Sequence, residues 1–148
     1  MNVKDVLDER VIDLNMKAAD KKEAITNLAG KLKNAGYIAD VESYVEDIYL
    51  RESQGQTGIG HYVAIPHGKS DSVTQVGIAI GKMENEIEWE TLDGNGVKLI
   101  FLFAVGNDNE NAKTHLKLMA EVARNLGNDE AVEQLLSAKT VEDLKAVF

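Results

Sequence analysis

The residues best suited to chemistry in this chain are its three histidines and the arginine Arg51. His67 follows the only proline, Pro66, and precedes Gly68. Proline fixes its own φ near −65° and favours extended backbone in the residue before it, while glycine adds no side chain beside the imidazole. A rigidly held, accessible imidazole can be a nucleophile, a proton carrier or a metal ligand. His67 is therefore the main functional candidate, against the alternative of an idle histidine in a surface loop.

His115 and Arg51 are the other two candidates. His115 falls in the first turns of a predicted helix, on its apolar face. A helix N-terminus disfavours imidazolium, but a neutral imidazole there can still donate an N–H to an anion. Arg51 closes another predicted helix, where a guanidinium fork could reach a phosphoryl group. The plainer alternatives are a structural, half-buried histidine and a favourable charge at a helix C-terminus.

The spacing of the histidines does not favour a metal site. His61 lies six residues before His67, and we expect it to be at most a neighbour of the same site. No cysteine and no HExxH helix accompany the three histidines, so we expect no zinc. The glycines of the segment 57–60 match neither GxxxxGK[ST] nor a helix-opening GxGxxG, so we expect no nucleotide and no other cofactor.

Composition bounds the class of protein. The chain has 148 residues, 44% hydrophobic and 28% charged, which suits one globular domain. Its formal net charge of −9 argues against binding to nucleic acid or to an anionic membrane surface. The longest apolar run, 99–105, is far shorter than the ~20 residues of a membrane-spanning helix, and the first ten residues lack the apolar segment of a signal peptide. We expect a cytoplasmic protein without disulfides or membrane insertion.

Helical and strand patterns alternate along the chain. Apolar residues spaced by three and four predict helices after Asp20 and Asp40, and Thr140 with Asp143 predicts a capped final helix. The predicted helices cover 20–36, 40–53, 111–126, 131–136 and 141–147. The predicted strands are 11–14, 62–65, 73–80, a short edge strand at 87–89, and a central strand at 97–105, with loop chemistry at 54–58. This order predicts an α/β fold: one domain, 1–148, with a mixed parallel and antiparallel sheet of about five strands and helices on both faces.

These motifs resemble a known family, the fructose/mannitol-type enzyme IIA domains of the bacterial phosphoenolpyruvate-dependent sugar phosphotransferase system. The resemblance is most specific in the run Thr57–Gly68, which contains Ala-Ile-Pro-His-Gly. The pair Arg51-Glu52 and the segment 109–116 with its histidine are similar to two further family segments, and the similarity extends over nearly the whole chain. The family usually has a small or polar residue where His61 stands, and glycine where Tyr62 stands, so these positions depart from the pattern.

The resemblance implies a phosphoryl carrier that is a component of a protein-histidine phosphotransferase. His67 would accept a phosphoryl group from the histidine-containing phosphocarrier protein and pass it to enzyme IIB of a sugar permease, with a fructose-type sugar expected. Arg51 and His115 would hold phosphoryl oxygens, an arrangement that suits the loose transition state of phosphoryl transfer. Supporting roles around the phosphoryl group would fall to Glu52, Thr57, Gly60, His61 and Gly68.

Two other functions stay open at this point. A nitrogen-metabolism type enzyme IIA has a similar signature but acts as a regulator whose protein binding depends on phosphorylation. A non-catalytic interaction domain with the same fold is a further alternative, although the joint presence of Arg51, His67 and His115 argues against it.

Overall fold

The fold is a mixed sheet between two layers of helices, and the computed structural model describes residues 2–148 except the side chain of Asn111. A short 3-10 helix, Glu9–Val11, precedes the first strand. The strands are β1 Ile12–Asp13, β2 Gly58–Gly60, β3 Val63–Ala64, β4 Gly77–Ile87 and β5 Val97–Ala104. The helices are α1 Val3–Val6, α2 Lys21–Asn34, α3 Val41–Glu52, α4 Asn109–Leu126, α5 Asp129–Ser137 and α6 Val141–Lys145.

The described sheet has five strands in the order β1-β4-β5-β3-β2. β4 is antiparallel to β5, β3 is parallel to β5, β1 is parallel to β4, and β2 is antiparallel to β3. β5 lies in the middle because it is apolar on both faces, which suits a strand covered from both sides. The predicted mixed sheet and its central strand are confirmed.

Two hydrophobic cores lie on opposite faces of this sheet. Ile100 and Leu102 of β5 pack in one core with residues of α2 and α3. Phe101 and Phe103, which alternate with them, pack in the other core with residues of α1, α4, α5 and α6. The prediction of helices on both faces is therefore confirmed.

The capping residues behave as their types suggest. Asp20 and Asp40 accept backbone N–H groups at the starts of α2 and α3, and Thr140 forms a reciprocal capping box with Asp143 at α6. None of the helices in residues 2–148 combines the length and the apolar composition that a membrane-spanning segment requires.

The strand predictions are wrong at β4, at the edge strand and at β2. β4 begins at Gly77 rather than at residue 73 and continues to Ile87, because it stays paired with β5 as far as the Ile87–Val97 pair. Residues 84–86, near the end of β4, are polar and exposed, so no alternation of apolar residues marks this part of the strand in the sequence. There is no edge strand at 87–89: Ile87 ends β4 and Trp89 lies in the following loop. Gly58, expected in a loop, begins β2.

Candidate active site

His67 lies just beyond the carboxyl end of β3, where that strand runs parallel to β5. The backbone N–H of Phe103 donates to the carbonyl of Pro66 over 3.1 Å, and Lys69 makes a parallel bridge to Val105. The chain therefore continues beside β5 through His67 after β3 itself has ended. Parallel strands of open α/β sheets commonly place ligand sites at their carboxyl ends, and this is where the imidazole is held.

Gly68 allows helix α3 to pack directly against this segment. A Cβ added at Gly68 would lie 2.7 Å from the carbonyl oxygen of Asp47 and 3.3 Å from the Cα of Ile48, both backbone atoms of α3. The φ of Gly68 is outside the left-handed region, so glycine is required here for space rather than for conformation. Since Arg51 follows Asp47 by one helical turn, the same close approach brings its guanidinium towards His67.

One hydrogen bond fixes the tautomer of His67. Its Nδ1 lies 2.9 Å from the carbonyl oxygen of Ile65, which can only accept, so Nδ1 carries the proton and Nε2 keeps its lone pair. Burial lowers the pKa of His67 below its usual value, and Arg51 lowers it further, while the bond to Ile65 and the charge of Glu52 oppose the change. At neutral pH the ring is therefore mainly neutral, with Nε2 available as a nucleophile.

His115 faces His67 from helix α4. The two ring centroids are 5.4 Å apart, and the His115 ring also packs nearly perpendicular to the Phe103 ring at a centroid distance of 5.4 Å. Burial lowers the pKa of His115 to about 4, with contributions from His67 and Lys69. Its Nδ1 is buried and has no hydrogen-bond partner among the described residues. A neutral ring with its proton on Nε2 avoids burying an unpaired N–H, so Nε2 is the donor of this side chain.

Two sets of hydrogen bonds, one made by Arg51 and one joining Glu52 to Thr57, lie at the end of α3. Nη1 of Arg51 donates to the carbonyl of Gly55 over 2.9 Å, which orients the guanidinium and uses one of its N–H groups. The hydroxyl of Thr57 donates to Oε1 of Glu52, and Nζ of Lys21 donates to Oε2 over 2.8 Å. Both carboxylate oxygens of Glu52 therefore accept a hydrogen bond. Glu52 and Thr57 lie together near the end of α3, where Glu52 follows Arg51 in the chain.

His61 and Gly60 lie at the opposite end of β3 from His67. The carbonyl of Tyr62 accepts the N–H groups of Lys98 and Leu99, at the start of β5, whereas Pro66 pairs with Phe103. Four residues of strand separate the Tyr62–Leu99 bond from the Pro66–Phe103 bond, or about 13 Å at ~3.3 Å per residue. The backbone N–H of His61 is moreover bonded to Asp93. The structure therefore places both residues at the far end of β3 from His67, and a supporting role for them around a phosphoryl group stays a prediction.

The turn between β2 and β3 explains why the family pattern has a small or polar residue and a glycine at positions 61 and 62, but not why this chain departs from it. His61 and Tyr62 have φ of 55° and 67°, as the two central residues of a two-residue type I′ hairpin turn require. Asn and Gly are the usual residues there, and an aromatic residue in this conformation is strained. The ammonium of Lys98 lies 4.8 Å from the ring centroid of Tyr62, a cation–π contact that offsets part of this cost.

Sequence reasoning missed Lys21, whose ammonium binds Glu52 from the first residue of α2. The sequence did contain one signal. A lysine in the first turn of a helix interacts unfavourably with the helix dipole, which indicates that another interaction stabilises it there. Among residues 2–148, with the side chain of Asn111 excepted, no group of three or more His, Asp or Glu side chains is arranged to hold a metal ion.

Comparison with known proteins shows the family of this chain. Residues 5–148 match the family described as phosphoenolpyruvate-dependent sugar phosphotransferase system, EIIA 2. The mannitol-specific phosphotransferase enzyme IIA component of Bacillus subtilis is 34% identical over 146 residues, which cover 97% of this chain and 96% of that protein. The fructose-specific EIIABC component of Bacillus subtilis is 35% identical over 140 residues, 95% of this chain.

A solved structure is similar over the whole fold. The crystal structure of nitrogen regulatory protein IIA-Ntr from Neisseria meningitidis superposes with a TM-score of 0.85 at 28% identity, covering 97% of this chain and 96% of that one. The chain belongs to the EIIA family of the phosphoenolpyruvate-dependent sugar phosphotransferase system, whose members transfer phosphoryl groups by way of a histidine. It spans 22% of the length of each of two EIIABC relatives, from Bacillus subtilis and Escherichia coli.

Proposed function

We propose that this protein carries a phosphoryl group on Nε2 of His67, taking it from the histidine-containing phosphocarrier protein and passing it to an enzyme IIB. The observation that carries the proposal is the bond from Nδ1–H to the carbonyl of Ile65, which leaves Nε2 as the nucleophile. In the accepting step the new P–Nε2 bond forms as the P–N bond of the phosphocarrier histidine breaks. In the donating step the P–Nε2 bond breaks as enzyme IIB's nucleophile forms its own bond to phosphorus.

Two donors stabilise the charge that develops during these steps. Arg51 presents a planar guanidinium next to His67, whose remaining N–H groups suit phosphoryl oxygens. His115 presents a neutral imidazole that donates from Nε2, because its lowered pKa keeps the ring uncharged. The chemistry asks mainly for alignment and charge stabilisation, which these side chains supply without a metal or cofactor.

The surface beside the site suits transient docking of protein partners. Leu50 and Leu116 are 62% and 66% exposed, and each is adjacent in sequence to a residue of the site, Arg51 or His115. Contiguous apolar patches rimmed by polar residues mark protein interaction sites, and these two leucines would contribute to such a patch. We propose that the two partners dock here in turn, since each must place its nucleophile in line with the same phosphorus atom.

The comparisons favour a transport role over the regulatory alternative. Relatives named for fructose and mannitol are 35% and 34% identical over nearly all of this chain, so we propose that the cognate permease carries a sugar of this type, fructose first. The 0.85 TM-score to a nitrogen regulatory IIA keeps a regulatory function as the second candidate. In either role we place the protein in the cytoplasm, where its proposed partners act, and expect no nucleic-acid ligand because of its net charge of −9.

A phosphotransfer assay tests the proposal. The protein is incubated with phosphoenolpyruvate, enzyme I and the phosphocarrier protein, and its intact mass is followed. One acid-labile phosphoryl group should appear on the parent and on His61→Ala, and none on His67→Ala. Full labelling of His67→Ala would refute the assignment of the acceptor. Discharge of the phosphorylated protein by fructose-type or mannitol-type IIB domains supports transport, and retention of the group with all of them supports the regulatory function.

A further inference from the structure

Lys21 is enclosed by two carboxylates and two aromatic rings at the start of α2. Its ammonium lies 2.8 Å from Oε2 of Glu52 and 2.7 Å from Oε2 of Glu90. It also lies 4.9 Å from the ring centroid of Trp89 and 5.8 Å from that of Tyr49. The Lys21 side chain is only 15% exposed. Although burial alone would lower the pKa of Lys21, the two carboxylates raise it, so the side chain stays charged.

The two carboxylates bound by Lys21 are not equivalent. Glu90 is 71% exposed, and an ion pair of that kind is screened by water and contributes little. Glu52 is 5% exposed, and its second oxygen is held by Thr57. Removing the partner of a buried carboxylate leaves an uncompensated charge, which is far more costly than losing an exposed pair. The ion pair of Lys21 with Glu52 therefore contributes more than its ion pair with Glu90.

Glu52 is close enough to the phosphotransfer site for its charge to matter there. Its carboxylate acts on the imidazole of His67, where it opposes the lowering of the pKa. It also follows Arg51 directly in the last turn of α3. A phosphoryl group on His67 carries negative charge, so an uncompensated Glu52 would repel it. A carboxylate freed from Lys21 would also compete for the guanidinium of Arg51.

We propose that Lys21 is a positioning residue for phosphotransfer: it neutralises Glu52 and anchors the end of α3, so that Arg51 is directed to the phosphoryl group on His67. The inference rests on the proposed carrier function of His67. It assigns a role to a residue in a different helix, 30 residues before Arg51, whose contacts are with Glu52, Glu90 and two aromatic rings rather than with His67.

The first test removes the charge of Lys21 while keeping an apolar side chain of similar length. Lys21→Met is expected to slow phosphotransfer from the phosphocarrier protein by about tenfold to hundredfold, since small displacements of catalytic groups have effects of this size. The pKa of His67, followed by NMR, is expected to rise because Glu52 is no longer compensated. Lys21→Arg should retain most of the rate. The matched controls are Lys22→Met, an exposed neighbour, and Glu90→Gln, both of which should transfer at the parent rate.

The second test separates a role through Glu52 from a general structural role. In a Glu52→Gln background the charge that Lys21 compensates is absent, so adding Lys21→Met should cost far less than it does in the parent. Equal losses in both backgrounds, or a Lys21→Met variant with the parent rate and the parent pKa of His67, would overturn the proposal. If Lys21→Met does not fold, Lys21→Gln, which can still donate to Glu52, is compared in the same two backgrounds with the same expectations.

The failure of this proposal can be told apart from failure of the carrier function. If the carrier function is wrong, the parent protein itself takes up no phosphoryl group. The pKa of His67 still reports the coupling to Lys21 in that case, and an unchanged value in the variant overturns the inference. If the parent is phosphorylated and the Lys21 variants keep both its transfer rate and its pKa of His67, the carrier function stands and the positioning role of Lys21 is refuted.

Discussion

The contact between Gly68 and helix α3 gives a prediction whose size follows from the structure. An alanine Cβ at position 68 would lie 2.7 Å from the carbonyl oxygen of Asp47, against about 3.4 Å for an ordinary contact. The obstructing atoms belong to the helix backbone, so α3 must retreat by about 0.7 Å. Overpacking of this kind costs about 1–3 kcal/mol, and the lower entropy of the unfolded alanine chain offsets about 0.4–1 kcal/mol.

We therefore expect Gly68→Ala to lose about 1–2 kcal/mol of unfolding free energy, which lowers Tm by about 2–8 °C for a chain of this size. Because Arg51 moves with α3, phosphotransfer should also slow, by about tenfold or more. Thermal unfolding followed by circular dichroism measures the first effect. Single-turnover transfer from the phosphocarrier protein, followed by intact mass, measures the second.

Gly30→Ala is the matched control. An added Cβ at Gly30 meets nothing within 4 Å, and the residue lies inside α2, where alanine is the better helix former by about 1 kcal/mol. This variant should melt higher than the parent and transfer at the parent rate. If Gly68→Ala instead keeps the parent Tm and rate, the close approach of α3 does not position Arg51, and the account of this part of the site fails.

Three further predictions follow. Arg51→Ala should slow phosphotransfer by about 10²-fold or more, and Arg51→Lys should recover only part because an ammonium lacks the guanidinium fork; transfer at the parent rate would reduce Arg51 to a helix-end charge. Because folding lowers the pKa of His115 to about 4, the imidazole binds a proton in the unfolded chain at pH values where it stays neutral in the folded chain. Unfolding free energy should therefore fall between pH 6.5 and 4 by up to about 3 kcal/mol in urea titrations, and fall less in His115→Gln. His61→Asn combined with Tyr62→Gly should raise Tm without changing the transfer rate, and a slower rate would contradict the placement of this turn away from His67.

Features of the fold that depend on a local sequence pattern could be predicted from the sequence alone. The run 97–105 is apolar on both faces, and that property alone predicts a strand in the middle of the sheet. The proline and glycine around His67 likewise predict a rigid, open setting for the imidazole, and the structure places that residue between α3 and α4. Helix starts were predictable from single capping residues such as Asp20 and Asp40.

Properties that depend on distant parts of the chain were not predictable. The tautomer of His67 depends on the carbonyl direction of Ile65, which no residue type reveals. The contact between Lys21 and Glu52 joins residues 31 positions apart in two helices. His61 was expected near His67 because six residues seem a short distance, but along an extended strand that separation spans much of the sheet.

The charges around His67 suit a group that must leave as readily as it arrives. A carrier gains nothing from holding its phosphoryl group tightly, since interactions equal in the resting and transition states do not speed transfer. The proposed donors fit that requirement: one guanidinium from Arg51, and one neutral N–H from His115 rather than an imidazolium. The carboxylate of Glu52 reduces the positive field, and Lys21 limits that reduction by neutralising it. Strengthening the site with a further cation would favour the phosphorylated state and slow the donating step, so a moderate field is what rapid transfer in both directions requires.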